Sequence, residues 1–228
     1  MCITIQMLEA ERAQLERTWA RVRSDIPLNR RTHPRRYSEL LCSRLGHIDS
    51  SDRLNCTTGH AIRQIHDFYG WMAKQSNNIK GACAGTFYRT AGFISTPPSS
   101  RSGRKLGGNI HVEHTVPVAA LNRALPAKFS NSSNFHWLAA HRFILAHSIC
   151  TAFTKDEEAL LSGSVERSTS AHVFSISGDL VGHHPFRRYL PIAEKIEIYN
   201  IVSGEKIDLA MFQFKDHMRT LIRACQIT

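Results

Sequence analysis

No two of the six cysteines form a C-x-x-C pair; Cys2, Cys42, Cys56, Cys83, Cys150 and Cys225 stand scattered along the chain. A zinc knuckle or ribbon needs such pairs, because two thiolates must reach one ion from a single tight turn. No structural zinc is therefore expected. The sequence also lacks any run near the roughly 18 apolar residues that a membrane span requires. Its brief apolar start has no basic region before it and runs into Glu9, Glu11 and Arg12, which is not the pattern of a secretory leader. A cytoplasmic chain with free, mostly buried thiols and no membrane partner is the expectation. Internal repeats are missing too. Apolar residues make up 42% of the 228, too many for a disordered chain and enough for one large domain or two small ones.

Acidic residues are scarce in the first half. Residues 1–109 hold 17 basic and 8 acidic side chains, so about +9 of the net +10 lies there. Arg30, Arg31, Arg35 and Arg36 fall close together. Guanidinium groups fit phosphate oxygens bidentately, and neutralising phosphates releases counterions, so this excess suits nucleic acid as a partner.

Helical spacing of Leu8, Leu15, Trp19 and Val22 predicts an amphipathic helix over 5–23, with Glu9, Glu11, Arg12, Glu16 and Arg17 between them. Residues 25–36, with Pro27 and Pro34, read as loop. A second helix is expected over 60–74, with Ile62, Ile65, Tyr69 and Met72 on one side. Residues 96–108, TPPSSRSGRKLGG, are a loop too rich in proline, serine and glycine to pack a core. A strand is expected over 109–114, then a turn at 115–117. A short helix or irregular excursion over 119–125 should end before Pro126, and 130–134 (SNSSN) should be a turn. A return strand over 135–138 and a helix over 139–152 complete this part. Thr154 followed by Glu157 is a capping-box pattern for a helix ending near Leu161. Beyond it come a strand at 171–177, a hairpin across 196–207 turning at Ser203-Gly204, and a last helix over 214–225.

The chemistry-bearing residues lie in 109–121, NIHVEHTVPVAAL. Val112-Glu113-His114-Thr115-Val116-Pro117, with Leu121 beyond, resembles the first motif of the HNH (ββα-metal) endonucleases, V-D-H-I-V-P-x-x-x-L. Ser133-Asn134-Phe135-His136-Trp137-Leu138 is similar to the family's S-N-L-Q-x-L segment. The resemblance covers about 109–150. It implies an α+β fold in which a ββα-metal core is embedded in a mixed helical and β-hairpin scaffold. The expected organisation is a largely helical basic region at 1–108, the catalytic core at 109–161, and a mixed strand and helix region at 162–228.

The resemblance implies His114 as general base, Asn134 pinning the loop or orienting that base, and Glu113 and His141 as metal ligands. His147 is the alternative to His141. The implied cofactor is Mg²⁺ or Mn²⁺, and the implied reaction is cleavage of DNA to 5′-phosphate and 3′-hydroxyl ends. Elementary chemistry agrees with these residue types. A neutral imidazole, with a pKa near 6.5, can take a proton from water at neutral pH, and a cation can stabilise the phosphoryl and leaving oxygens. Adjacent residues on a regular strand face opposite ways, so Glu113 and His114 can flank one phosphate only where the strand ends and turns.

Nucleic-acid contacts are expected from Arg30, Arg31, Arg35 and Arg36, from Arg101, Arg104 and Lys105 in the loop before the motif, and from Arg187 and Arg188. The last two sit in Gly182-His183-His184-Pro185-Phe186-Arg187-Arg188-Tyr189, which suits either backbone contact or a surface turn whose aromatics enter the core. A restriction-type or homing-type enzyme with its own DNA-recognition surface, homodimer allowed, is the leading expectation. A non-catalytic basic DNA-binding protein and an RNA-cleaving toxin-like nuclease are the alternatives.

Overall fold

The computed structural model describes residues 2–25, 62–63, 65, 85–102, 108–129, 137–164 and 184–226. The expected loop at 25–36 beyond Asp25, which instead ends the first helix, the expected strand at 171–177, the turn at 130–134, and all of the expected 60–74 helix except Ile62, Arg63 and Ile65 lie outside these residues.

Helix α1 (Ile5–Asp25) starts the chain, followed by β1 (Tyr88–Thr90), α2 (Ala91–Ser95) and β2 (Ile110–His114). Then come α3 (Val118–Phe129), α4 (Trp137–His147), β3 (Cys150–Thr154) and α5 (Lys155–Ser164). A 3-10 helix at Arg187–Ile192 leads to β4 (Ile198–Asn200), β5 (Glu205–Lys206) and α6 (Phe214–Gln226). The strands form one mixed sheet in the order β2-β3-β1-β4-β5, with β1 and β3 parallel and the other pairs antiparallel. The chain is thus α+β. All three expected regions supply strands to this sheet, and one core cluster runs from Leu15 through Leu121 and Phe153 to Leu221.

Helix α1 forms as its spacing predicts, with Leu15 and Trp19 buried and Trp19 stacked on Phe87 at 5.0 Å between centroids. Glu11, expected among the solvent-facing charges, is instead 4% exposed. It lies one turn before Leu15 on the same stripe and meets two buried arginines there.

Three expectations in the middle of the chain are corrected. First, Trp137 and Leu138 begin α4 and do not form a return strand, because Ala140, Phe143, Ile144 and His147 are buried at helical spacing. Second, the helix expected over 139–152 stops at His147, and Cys150–Thr154 becomes β3. β3 lies between β2 and β1, so Cys150, Thr151, Ala152 and Phe153 are all buried. A strand covered on both faces has no alternation to distinguish it from a buried helix. Third, α3 continues through Pro126 to Phe129. A proline inside a helix costs about 3 kcal/mol. Burial of Ala120, Leu121, Ala124 and Leu125 outweighs it, since each large apolar side chain contributes about 1.5–3 kcal/mol.

The capping box is present. Thr154 Oγ1 accepts from Glu157 N at 3.3 Å, and Glu157 Oε2 accepts from Thr154 N at 3.0 Å. Glu157 Oε1 also accepts from Gly92 N at 3.0 Å, joining α5 to α2. A Cβ on Gly92 would lie 2.7 Å from that carboxylate, so this close approach requires glycine. The expected hairpin is present as β4–β5, with Gly204 at φ +75° in its turn. The final helix runs from Phe214 to Gln226 with Phe214, His217, Leu221 and Ala224 buried.

Candidate functional site

β2 is an edge strand whose alternation puts Ile110 and Val112 into a small core with Phe93, Cys150 and Ala152. His111 and Glu113 share the other face. β3 pairs with β2 from Ile110↔Thr154 to His114↔Cys150 and passes directly into α5. Lys155 N donates to Asn109 O at 2.9 Å, so the first turn of α5 is fastened beside the start of β2. This brings Glu158 to His111.

The result is a cleft of about 440 Å³ at the end of β2. His111, Glu113, His114, Glu158, Arg63, Lys155 and Arg188 line it, with Pro117, Val118 and Ala119 at its floor or rim. Each glutamate turns one oxygen to a fixed cation and the other to His111. Glu113 Oε1 accepts from Arg188 Nη1 at 2.9 Å, and its Oε2 lies 3.7 Å from His111 Nε2. Glu158 Oε2 pairs with Lys155 Nζ, and its Oε1 lies 3.3 Å from His111 Nε2. The three ligand-type atoms lie within 4.8 Å of one another. Two hard carboxylate oxygens and one borderline imidazole nitrogen form a donor set that could hold a divalent cation.

Burial pushes the Glu113 carboxyl up. The facing His111 imidazole (by distance an electrostatic contact rather than a hydrogen bond), the charge and hydrogen bond of Arg188, and nearby His114 overcome this and hold it below the ordinary carboxylate value.

Glu113 and His114 do reach one cleft, as the strand-end reading requires. The expected third ligand, His141, belongs to α4. The helix after the partner strand is α5, not α4, so its cleft-facing residue is Glu158 and the described lining draws nothing from α4. The side chains of His141 and Asn134 lie outside the described residues. His147, the alternative ligand, is 6% exposed, with Nδ1 2.6 Å from Phe143 O and its ring between Phe143 and Phe214. That is a core position.

Two of the expected nucleic-acid contacts are also corrected. Arg101 is 2% exposed; its Nη2 donates to Glu11 Oε1 at 2.5 Å, and its guanidinium lies 4.2 Å from the Phe93 centroid. Arg89, fully buried, binds the same Glu11. Arg188 is turned inward to Glu113, while Arg187 is exposed. Phe186 and Tyr189 are core residues, so the segment is a turn with buried aromatics. Arg30, Arg31, Arg35, Arg36, Arg104 and Lys105 lie outside the described residues.

Sequence reading missed His111, Glu158, Arg63 and Lys155. His111 was accessible through alternation, two residues before Glu113 on a strand. Glu158 was accessible through the capping box, which fixes the first turn of α5. Nothing in the sequence marked Arg63.

In comparisons with known proteins, no family model, no curated protein and no solved structure matches this chain. Among the described residues, no helix is long and apolar enough to cross a membrane.

Proposed function

We propose that the chain is a divalent-metal-dependent endonuclease of the HNH type that hydrolyses DNA to 5′-phosphate and 3′-hydroxyl ends. One observation carries this reading: the end of β2 delivers Glu113 and His114 to one cleft in which His111 and Glu158 complete a compact donor set. A strand, an antiparallel strand and a helix frame this cleft as β2, β3 and α5, in place of the second strand at 135–138 and the helix at 139–152 that the resemblance implied.

His114 takes the proton from the attacking water, the general-base role that an imidazole side chain can fill at neutral pH. A cation held by His111, Glu113 and Glu158 supplies charge stabilisation for the phosphoryl and leaving oxygens. Lys155, with its side chain 39% exposed, and Arg63 at the cleft wall engage the flanking phosphates. The basic first half extends this contact along the polyanion.

The test is cleavage of supercoiled plasmid by the purified full chain with Mg²⁺, with Mn²⁺ and with chelator, followed by mapping of the ends. The expected result is metal-dependent nicking with ligatable 5′-phosphates. Binding of DNA without cleavage in any metal would leave a basic DNA-binding protein. Preferential cleavage of RNA in parallel reactions would change the substrate and keep the chemistry.

A further inference from the structure

Arg188 comes from the 3-10 helix Arg187–Ile192, 74 residues beyond His114. It is 8% exposed, yet its side chain is one wall of the cleft. A single nitrogen, Nη1, donates both to Glu113 Oε1 at 2.9 Å and to the backbone carbonyl of His114 at 2.8 Å. Its Nε is buried with no hydrogen-bond partner among the described residues. Burying a guanidinium with one donor unmatched destabilises the fold relative to an apolar side chain of similar length. The gain is geometric. Adjacent strand residues face opposite ways, and Glu113 and His114 share the cleft only because the chain turns after them. Arg188 holds the side chain of the first and the backbone of the second.

The next residue extends the hold. Tyr189 Oη donates to Thr115 Oγ1 at 3.3 Å, and Thr115 Oγ1 lies 2.7 Å from Thr151 Oγ1 on β3. Residues 113–115 are thus fixed by two consecutive side chains from a distant segment. Lys155, paired with Glu158, and Arg63 are the other cations lining the cleft.

We infer that Arg188 is the positioning residue of this site, setting the Glu113 carboxylate and the turn at His114 from outside the motif, and that it does not itself hold the substrate phosphate. This rests on the hydrolytic reading above. It makes the site dependent on a segment well beyond β2, β3 and α5.

The experiment compares the full-length wild type with Arg188→Met and Arg188→Lys. Steady-state cleavage is measured at saturating Mn²⁺, and amide exchange in metal-free, DNA-free protein. For Arg188→Met, kcat falls about 10–100-fold, as expected for a misplaced reacting group. KM for DNA moves by less than about threefold, because ground-state binding is untouched. The Val116 amide, bonded to Ile149 O, exchanges faster while the Ala152 amide within β3 does not. Arg188→Lys, which keeps a charge beside Glu113 and preserves folding if the methionine variant does not, recovers part of kcat at the same KM.

A raised KM with unchanged kcat and exchange would make Arg188 a phosphate contact and overturn the assignment. Unchanged kinetics and exchange would make it a packing residue. If the wild type cleaves nothing, the hydrolytic reading fails by itself. The exchange comparison then still decides whether Arg188 holds the turn.

Discussion

His111 and Glu158 face each other at 3.3 Å across the joint between an edge strand and the first turn of α5. Neither residue has a role in the HNH resemblance, although His111 lies two residues before Glu113 on the same strand. Their contact exists because β3 continues into α5 without a loop, so a capping box sets where the helix begins. It also offers Glu158 on α5 as a third ligand for the proposed cation in place of His141 on α4, which can be tested directly.

Glu158→Ala should lose metal-dependent cleavage at ordinary Mg²⁺ concentrations and regain part of it in millimolar Mn²⁺. Removing one carboxylate takes away charge and one hard donor while leaving two ligands. His141→Ala should cleave at close to the wild-type rate, because the helix facing the cleft is α5. Plasmid nicking across a metal titration distinguishes the two. Loss of cleavage in His141→Ala with full activity in Glu158→Ala would return the third ligand to α4.

His114→Ala should lower the cleavage rate by about 10²–10⁴ while DNA affinity stays close to wild type, as for the loss of a general base. The readout is single-turnover cleavage beside a filter-binding curve in Ca²⁺ or chelator. Wild-type turnover in the folded variant would remove His114 from the base role.

Glu113 links the site to pH. Its carboxyl titrates lower in the folded chain than in the unfolded one: burial raises it, and the facing His111 imidazole together with the charge and hydrogen bond of Arg188 outweigh that. The unfolded state therefore binds more protons as pH falls into and below the carboxylate range. The stabilisation is present in full above the ordinary carboxylate pKa and is lost as pH drops through the folded value. Melting temperatures of wild type and Glu113→Gln should differ most near neutrality and converge in acid. A difference that widens as pH falls would contradict the sign of this shift.

Glu11 carries two buried arginines, with Glu11 at 4%, Arg89 at 0% and Arg101 at 2% exposure. Glu11→Ala leaves two guanidinium groups without this carboxylate, a change that typically costs about 3–5 kcal/mol. Denaturant unfolding should show a loss of that size. Arg101→Ala should likewise lower stability and leave the salt dependence of DNA binding unchanged. A flatter salt slope with intact stability would place Arg101 on the DNA after all.

The sequence by itself determined the elements whose signals are local. Helical spacing marked α1, the Thr154–Glu157 capping box marked the start of α5, and Ser203-Gly204 marked the hairpin turn, where Gly204 takes a positive φ. It also identified Glu113 and His114 as a pair able to serve one site where a strand ends. Tertiary structure alone decided the rest. Cys150–Thr154 is a strand because β2 and β1 flank it, and burial on both faces erases the alternation that would have announced it. Glu11 and Arg101 look like surface charges in sequence, yet they meet inside the protein, 90 residues apart. Arg188 is a basic residue in an aromatic turn until folding places it beneath Glu113. Residue type and spacing record what a segment can do, whereas the partner a charge finds depends on which distant segment is packed against it.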